Sequence, residues 1–167
     1  MTGPITNLLE ADHRRLEALL AAAVCSHPID LARYAEFRGG LLRHIGIEEK
    51  ILLPAAQTAR GGSALPIAGR LRLDHGAIAA LLVPTPTPAI VATLRDILRQ
   101  HNAVEEGAAG LYAGCDRLLA ASAASVVARM EAYAAVRMSP HNDAPEVMPA
   151  TMRALERAGY RLLDPAR

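Results

Sequence analysis

Ala11-Asp12-His13-Arg14-Arg15-Leu16-Glu17-Ala18-Leu19-Leu20 is answered later in the chain by Leu73-Asp74-His75-Gly76-Ala77-Ile78-Ala79-Ala80-Leu81-Leu82. Both stretches open on Asp-His and close on Ala-Leu-Leu, and each precedes a His-x-x-x-Glu-Glu: His44-Ile45-Gly46-Ile47-Glu48-Glu49 after the first, His101-Asn102-Ala103-Val104-Glu105-Glu106 after the second. Residues four apart share one face of a helix. Each half of the chain therefore reads as a helix pair carrying two inward imidazoles and one inward carboxylate.

The neighbours of each polar residue test that reading. The first helix gives the stripe Ile5, Leu9, His13, Leu16, Leu20, and the second Phe37, Leu41, His44, Glu48, Leu52. The third gives Leu71, His75, Ile78, Leu82, and the fourth Leu94, Ile97, His101, Glu105, Ala108, Tyr112. Every one of the six interrupts an apolar stripe that has the period of a helix facing a core. A lone buried histidine is usually a hydrogen-bonded core residue. Six such groups together are different, because each unpaired buried charge costs several kcal/mol against a domain stability of about 5 to 15 kcal/mol. A ring of imidazoliums would repel itself, whereas cations satisfy all six groups at once.

The rest of the chain frames this core. Its 167 residues, 51% hydrophobic but only 3% aromatic, are rich in Ala and Leu and poor in β-branched runs, which predicts an all-α fold. Pro4 suits a helix start, and that helix ends near Ala23. Asp30 caps a second helix running through Leu53 or slightly beyond, with Pro54 and Gly61-Gly62 marking its end. Ser63 can cap the third, which stops at Val83-Pro84-Thr85-Pro86; Thr87 and Pro88 then open a fourth that runs to near Tyr112. Short connectors make neighbours antiparallel, so residues 1–115 are expected to form an up-down-up-down four-helix bundle. Residues 116–167 form a C-terminal extension, with a helix over Ala120 to Met138 and a shorter one over Ala150 to Ala158 stopped by Gly159. Its residues leave open whether it covers the bundle, makes a homodimer contact or fills an open end.

A net charge of +1 with scattered Arg provides no field for nucleic acid or a membrane surface. Cys25 and Cys115 stand apart and read as free thiols, the absence of a basic segment before an apolar run argues against a leader, and Leu118 to Ala128 is too short to span a bilayer. A cytoplasmic protein is the expectation.

The simplest metal model gives one ion His13 and His44, gives the other His75 and His101, and lets Glu48 and Glu105 bridge the two. A solvent-derived oxo or hydroxo bridge completes the centre, and imidazole plus bridging oxygen suits iron ahead of manganese or zinc. A ferritin-like site needs two Glu-x-x-His elements, and only Glu10 to His13 has that spacing; no His-Glu-x-x-His occurs. Asp12 and Asp74 adjoin ligand histidines but are rotated about 100° from them, so pairing with Arg at the surface is expected. Glu49 and Glu106, similarly rotated, are expected in solvent or hydrogen-bonded at the rim. His27 and His141 lie beside prolines in loops and read as solvated.

From about Ile5 to Tyr112 these residues resemble the hemerythrin family, the four-helix bundles called HHE cation-binding domains. The resemblance implies a non-haem di-iron centre with His13, His44, Glu48, His75, His101 and Glu105 as metal ligands. Oxygen carriers of that family place a further histidine one turn after the third-helix ligand, where this chain has Ala79. Reversible oxygen carriage is therefore not expected. Binding of O2, peroxide or NO in sensing, stress response or iron handling is. An enzyme that turns over peroxide or NO or repairs iron centres, and an iron store or structural metal site, stay open as alternatives.

Overall fold

The computed structural model describes residues 2–164, and every regular element in them is helical. The chain is an all-α helical bundle with further helices toward its C-terminus: α1 (Pro4–Ala23), α2 (Leu31–Ile47), α3 (Leu53–Ala59), α4 (Ala68–Leu81), α5 (Pro88–Glu105), α6 (Leu111–Leu118), α7 (Ala123–Glu131) and α8 (Val147–Ala158). Two compact units divide it, Met1–Ala68 with Asn102–Arg137 and Gly69–His101 with Met138–Arg167.

In the first unit α1 packs along α2, and α6 and α7 pack against α1. Leu9, Leu16, Leu20, Phe37 and Leu41 are buried, as the stripes require. The start of α1 lacks a cap of its own, since Gly3 has no side chain to offer. Asp116 of α6 supplies it: the carboxylate accepts from Ile5 N at 2.9 Å, Thr6 N at 3.0 Å and the Thr6 hydroxyl at 2.6 Å. A Cβ on Gly3 would lie 2.2 Å from that carboxylate, so glycine is needed there for the close approach. Asp116→Ala is expected to cost about 2 kcal/mol, the scale of hydrogen bonds to a charged group. A thermal melt should register this as a drop of roughly 4–8 °C.

The second helix does not stop at Pro54. Proline cannot donate to the carbonyl four residues back and its ring crowds that carbonyl. The chain accommodates it by widening over Glu48–Leu52 into a π turn, with Leu53 N bonding to Glu48 O, and then continues as α3. The helical run ends at Gly61 and Gly62, whose φ values of 68° and 94° no β-carbon would favour.

α5 starts at Pro88 with Thr87 as its cap, Thr87 Oγ1 accepting from Ile90 N at 3.2 Å. It ends at Glu105 rather than near Tyr112, because Gly107 turns with φ 84° and Ala108 falls out of the stripe into solvent. Tyr112 belongs instead to the first turn of α6 and is fully buried.

The extension packs on the chain's own helices. Arg43 of α2 reaches the C-terminal end of α7, donating to the carbonyls of Met130, Glu131 and Tyr133 at 3.1, 3.1 and 2.9 Å. α7 is shorter than the helix expected from Ala120 to Met138. In the second unit α8 is tied to α4 by Thr151 Oγ1 donating to Ala80 O at 3.1 Å, and ends on Gly159 in the left-handed conformation. Both cysteines are free, and no helix among the described residues is long and apolar enough to cross a membrane.

Candidate metal centre

His13 on α1, His44 at the last turn of α2, Glu48 in the π turn and Glu105 at the end of α5 come together in the first unit. Each offers one donor atom, and these atoms all lie within 4.8 Å of one another. Glu48 and Glu105 are wholly buried and the two histidines nearly so. The π turn matters to this placement, because it opens the helix immediately beside the carboxylate that the stripe points inward.

Hydrogen bonds fix which ring nitrogen each histidine turns inward. His44 Nδ1–H donates to Asp12 Oδ2 at 3.0 Å, and His13 Nδ1–H donates to Glu106 Oε1 at 2.6 Å. The two Nε2 atoms face each other 3.0 Å apart. Outer carboxylates holding Nδ1 while Nε2 points inward is the arrangement by which proteins orient imidazole ligands.

Protonation follows from the charges. Burial works against an imidazolium at His44, yet attraction to Glu48 and hydrogen bonds to Asp12 and Glu48 raise it to about 10. Burial and the charge on His44 push His13 down to about 4. The pair thus holds one proton between its facing nitrogens. Tyr112 completes the cluster: its hydroxyl lies 2.6 Å from Glu48 Oε1, 3.0 Å from Glu105 Oε2, 3.1 Å from His13 Nε2 and 3.3 Å from His44 Nε2. Burial and the charges of Glu48 and Glu105 hold this phenol well above its ordinary range. Mixed nitrogen and carboxylate oxygen donors converging in a buried space fit a cation.

The second unit repeats the motif. His75 on α4 and His101 on α5 face each other with Nε2 atoms 3.2 Å apart, and His101 Nδ1–H donates to Asp74 Oδ2 at 3.2 Å. The Asp of each Asp-His pair thus holds the histidine of the next long helix. Each Asp also takes an arginine, Arg15 on Asp12 at 2.7 Å and Arg70 on Asp74 at 3.1 Å. The arginine pairing follows the sequence expectation, but Asp74 is buried rather than at the surface. Rotation away from its own helix's histidine turns each Asp toward the neighbouring one. Asp74→Asn keeps an acceptor for His101 without its charge, and a loss of 10- to 100-fold in metal affinity is expected, the usual cost of weakening such a partner. Isothermal titration with the folded variant measures it.

Glu106 is hydrogen-bonded at the rim as expected, and His27 is exposed. Tyr112 was legible only as the last apolar position of a stripe.

A helical protein with buried His/Glu clusters of this kind is a metal-binding bundle. The chain belongs to the hemerythrin HHE cation binding domain family, whose model matches residues 5–110. No curated protein and no solved structure shows significant similarity to it.

Proposed function

We propose that the protein is a non-haem di-iron protein that binds O2, peroxide or NO and acts in sensing, stress response or iron handling. His13, His44, Glu48, His75, His101 and Glu105 would hold the two ions. The observation that carries the reading is the first-unit cluster, where two imidazole nitrogens and two carboxylates converge in a buried, electron-rich space. Family membership and the duplicated Asp-His and His-x-x-x-Glu patterns support a second ion at His75 and His101. Nitrogen and carboxylate donors together suit iron.

Bound iron would supply redox capacity and affinity for small diatomic and peroxidic ligands. The chain's own residues do the rest: Asp12, Asp74 and Glu106 aim the imidazoles, and the Leu, Ile and Phe stripes keep water from the centre.

Protein produced with iron is expected to contain two iron ions per chain and to show a near-ultraviolet charge-transfer spectrum that changes on adding azide, NO or air to the anaerobic sample. Iron-loaded protein whose spectrum ignores all three would leave only a store or a structural site.

A further inference from the structure

We infer that Tyr112 is itself a metal ligand, its phenolic oxygen serving as an additional protein donor to the ion held by His13 and His44. The inference rests on the di-iron reading and refines it. The hydroxyl touches all four candidate ligands of the first unit, at 2.6 to 3.3 Å. One donor atom from each of these four residues lies within 4.8 Å of the others, so a cation bonded to them occupies the space against which this oxygen is packed. The phenol oxygen has two choices: to bond to the ion or to leave.

Leaving is obstructed. Tyr112 is fully buried, flanked on α6 by the buried Leu111 and Cys115. α6 packs against α1 and α3, and Asp116, one turn further on, is bonded to the start of α1. A tyrosine ring swings only if its surroundings move, and a close-packed interior resists that. Bonding is also chemically apt. A phenolate is a hard, anionic oxygen donor of the kind that complements a ferric ion among imidazoles and carboxylates. On binding, the Tyr112 O–H bond breaks, an oxygen–metal bond forms and the proton passes to solvent, as when any acidic ligand takes up a metal; no electron is transferred. The protein thereby fills a coordination position at this ion that a small exogenous molecule would otherwise take.

The full chain loaded with ferric iron under air provides the test, with iron per chain counted in the same samples. Wild type is expected to show a visible phenolate-to-iron charge-transfer absorption and, on excitation into it, enhanced tyrosinate ring vibrations in the resonance Raman spectrum. Tyr112→Phe is expected to lose both while still binding iron; Tyr34→Phe, Tyr133→Phe and Tyr160→Phe keep them. Iron-loaded wild type without tyrosinate vibrations overturns the inference whether or not the Tyr112 variant folds, and leaves the di-iron reading standing. Tyrosinate vibrations that persist in Tyr112→Phe overturn it as well. A chain that takes up no iron defeats the di-iron reading, and this inference with it.

Discussion

Loading the protein with iron is expected to raise its melting temperature by on the order of 10 °C, and a chelator is expected to return it. The size comes from linkage: a ligand at about 1,000 times its dissociation constant stabilises the folded state by roughly 4 kcal/mol. In a chain of this length each kcal/mol moves the midpoint by about 2–4 °C. The direction comes from the cluster. Without a metal the first unit keeps Glu48 and Glu105 wholly buried beside the phenol of Tyr112, and His13 and His44 share a proton between their facing nitrogens. That is a costly arrangement in a low-dielectric interior. A cation takes the place of the shared proton and adds charge where the carboxylates need it, so nearly all of its binding energy appears as folding energy. Differential scanning calorimetry of metal-free and iron-loaded protein measures the shift. Coincident melts would mean that the cluster is a satisfied polar core and that metal has no part in the fold.

The burial of all six candidate ligands was legible in the sequence because each stands where the helical period demands an apolar residue. His13 between Leu9 and Leu16, and Glu105 after Ile97 and His101, are the clearest cases. Helix boundaries were legible where side chains cap, as at Asp30, which accepts from Ala32 N and Arg33 N, and at Thr87. Pro54 misled because a lone proline usually ends a helix, and nothing in a linear pattern says that the chain will widen into a π turn instead. Tyr112 was hidden for another reason. An aromatic on an apolar stripe reads as core packing, and only the break at Gly107 and the return of α6 bring its hydroxyl onto the cluster. Asp12 and Asp74 escaped because their partners lie on neighbouring helices, a relation that periodicity within one helix does not encode. Their recurrence before each first histidine of a pair was the available signal.

Glu48→Gln separates the cost of this site from its use. The substitution keeps the shape of the side chain and removes its charge, and two opposite consequences follow. In the metal-free protein the melting temperature is expected to stay the same or rise. A buried carboxylate no longer has to be desolvated, and His44, which owes its raised proton affinity in large part to Glu48, can shed its proton rather than remain as a stranded cation. In the presence of iron the result reverses. Outer carboxylates that merely aim a ligand are worth 10- to 100-fold in affinity, so losing a donor atom of the cluster itself is expected to cost more than about 100-fold. The iron-dependent rise in melting temperature should then largely vanish, with metal content falling in parallel. Leu52→Ala, at a fully buried position in the same π turn, gives the contrasting pattern: a cavity costing about 2–5 kcal/mol in both metal-free and loaded forms, with the iron-dependent shift retained. If Glu48→Gln instead lowered the metal-free midpoint as Leu52→Ala does and left iron uptake intact, Glu48 would be a structural hydrogen-bonding group for Tyr112 and His44, and the first-unit cluster would have no claim to be a metal site.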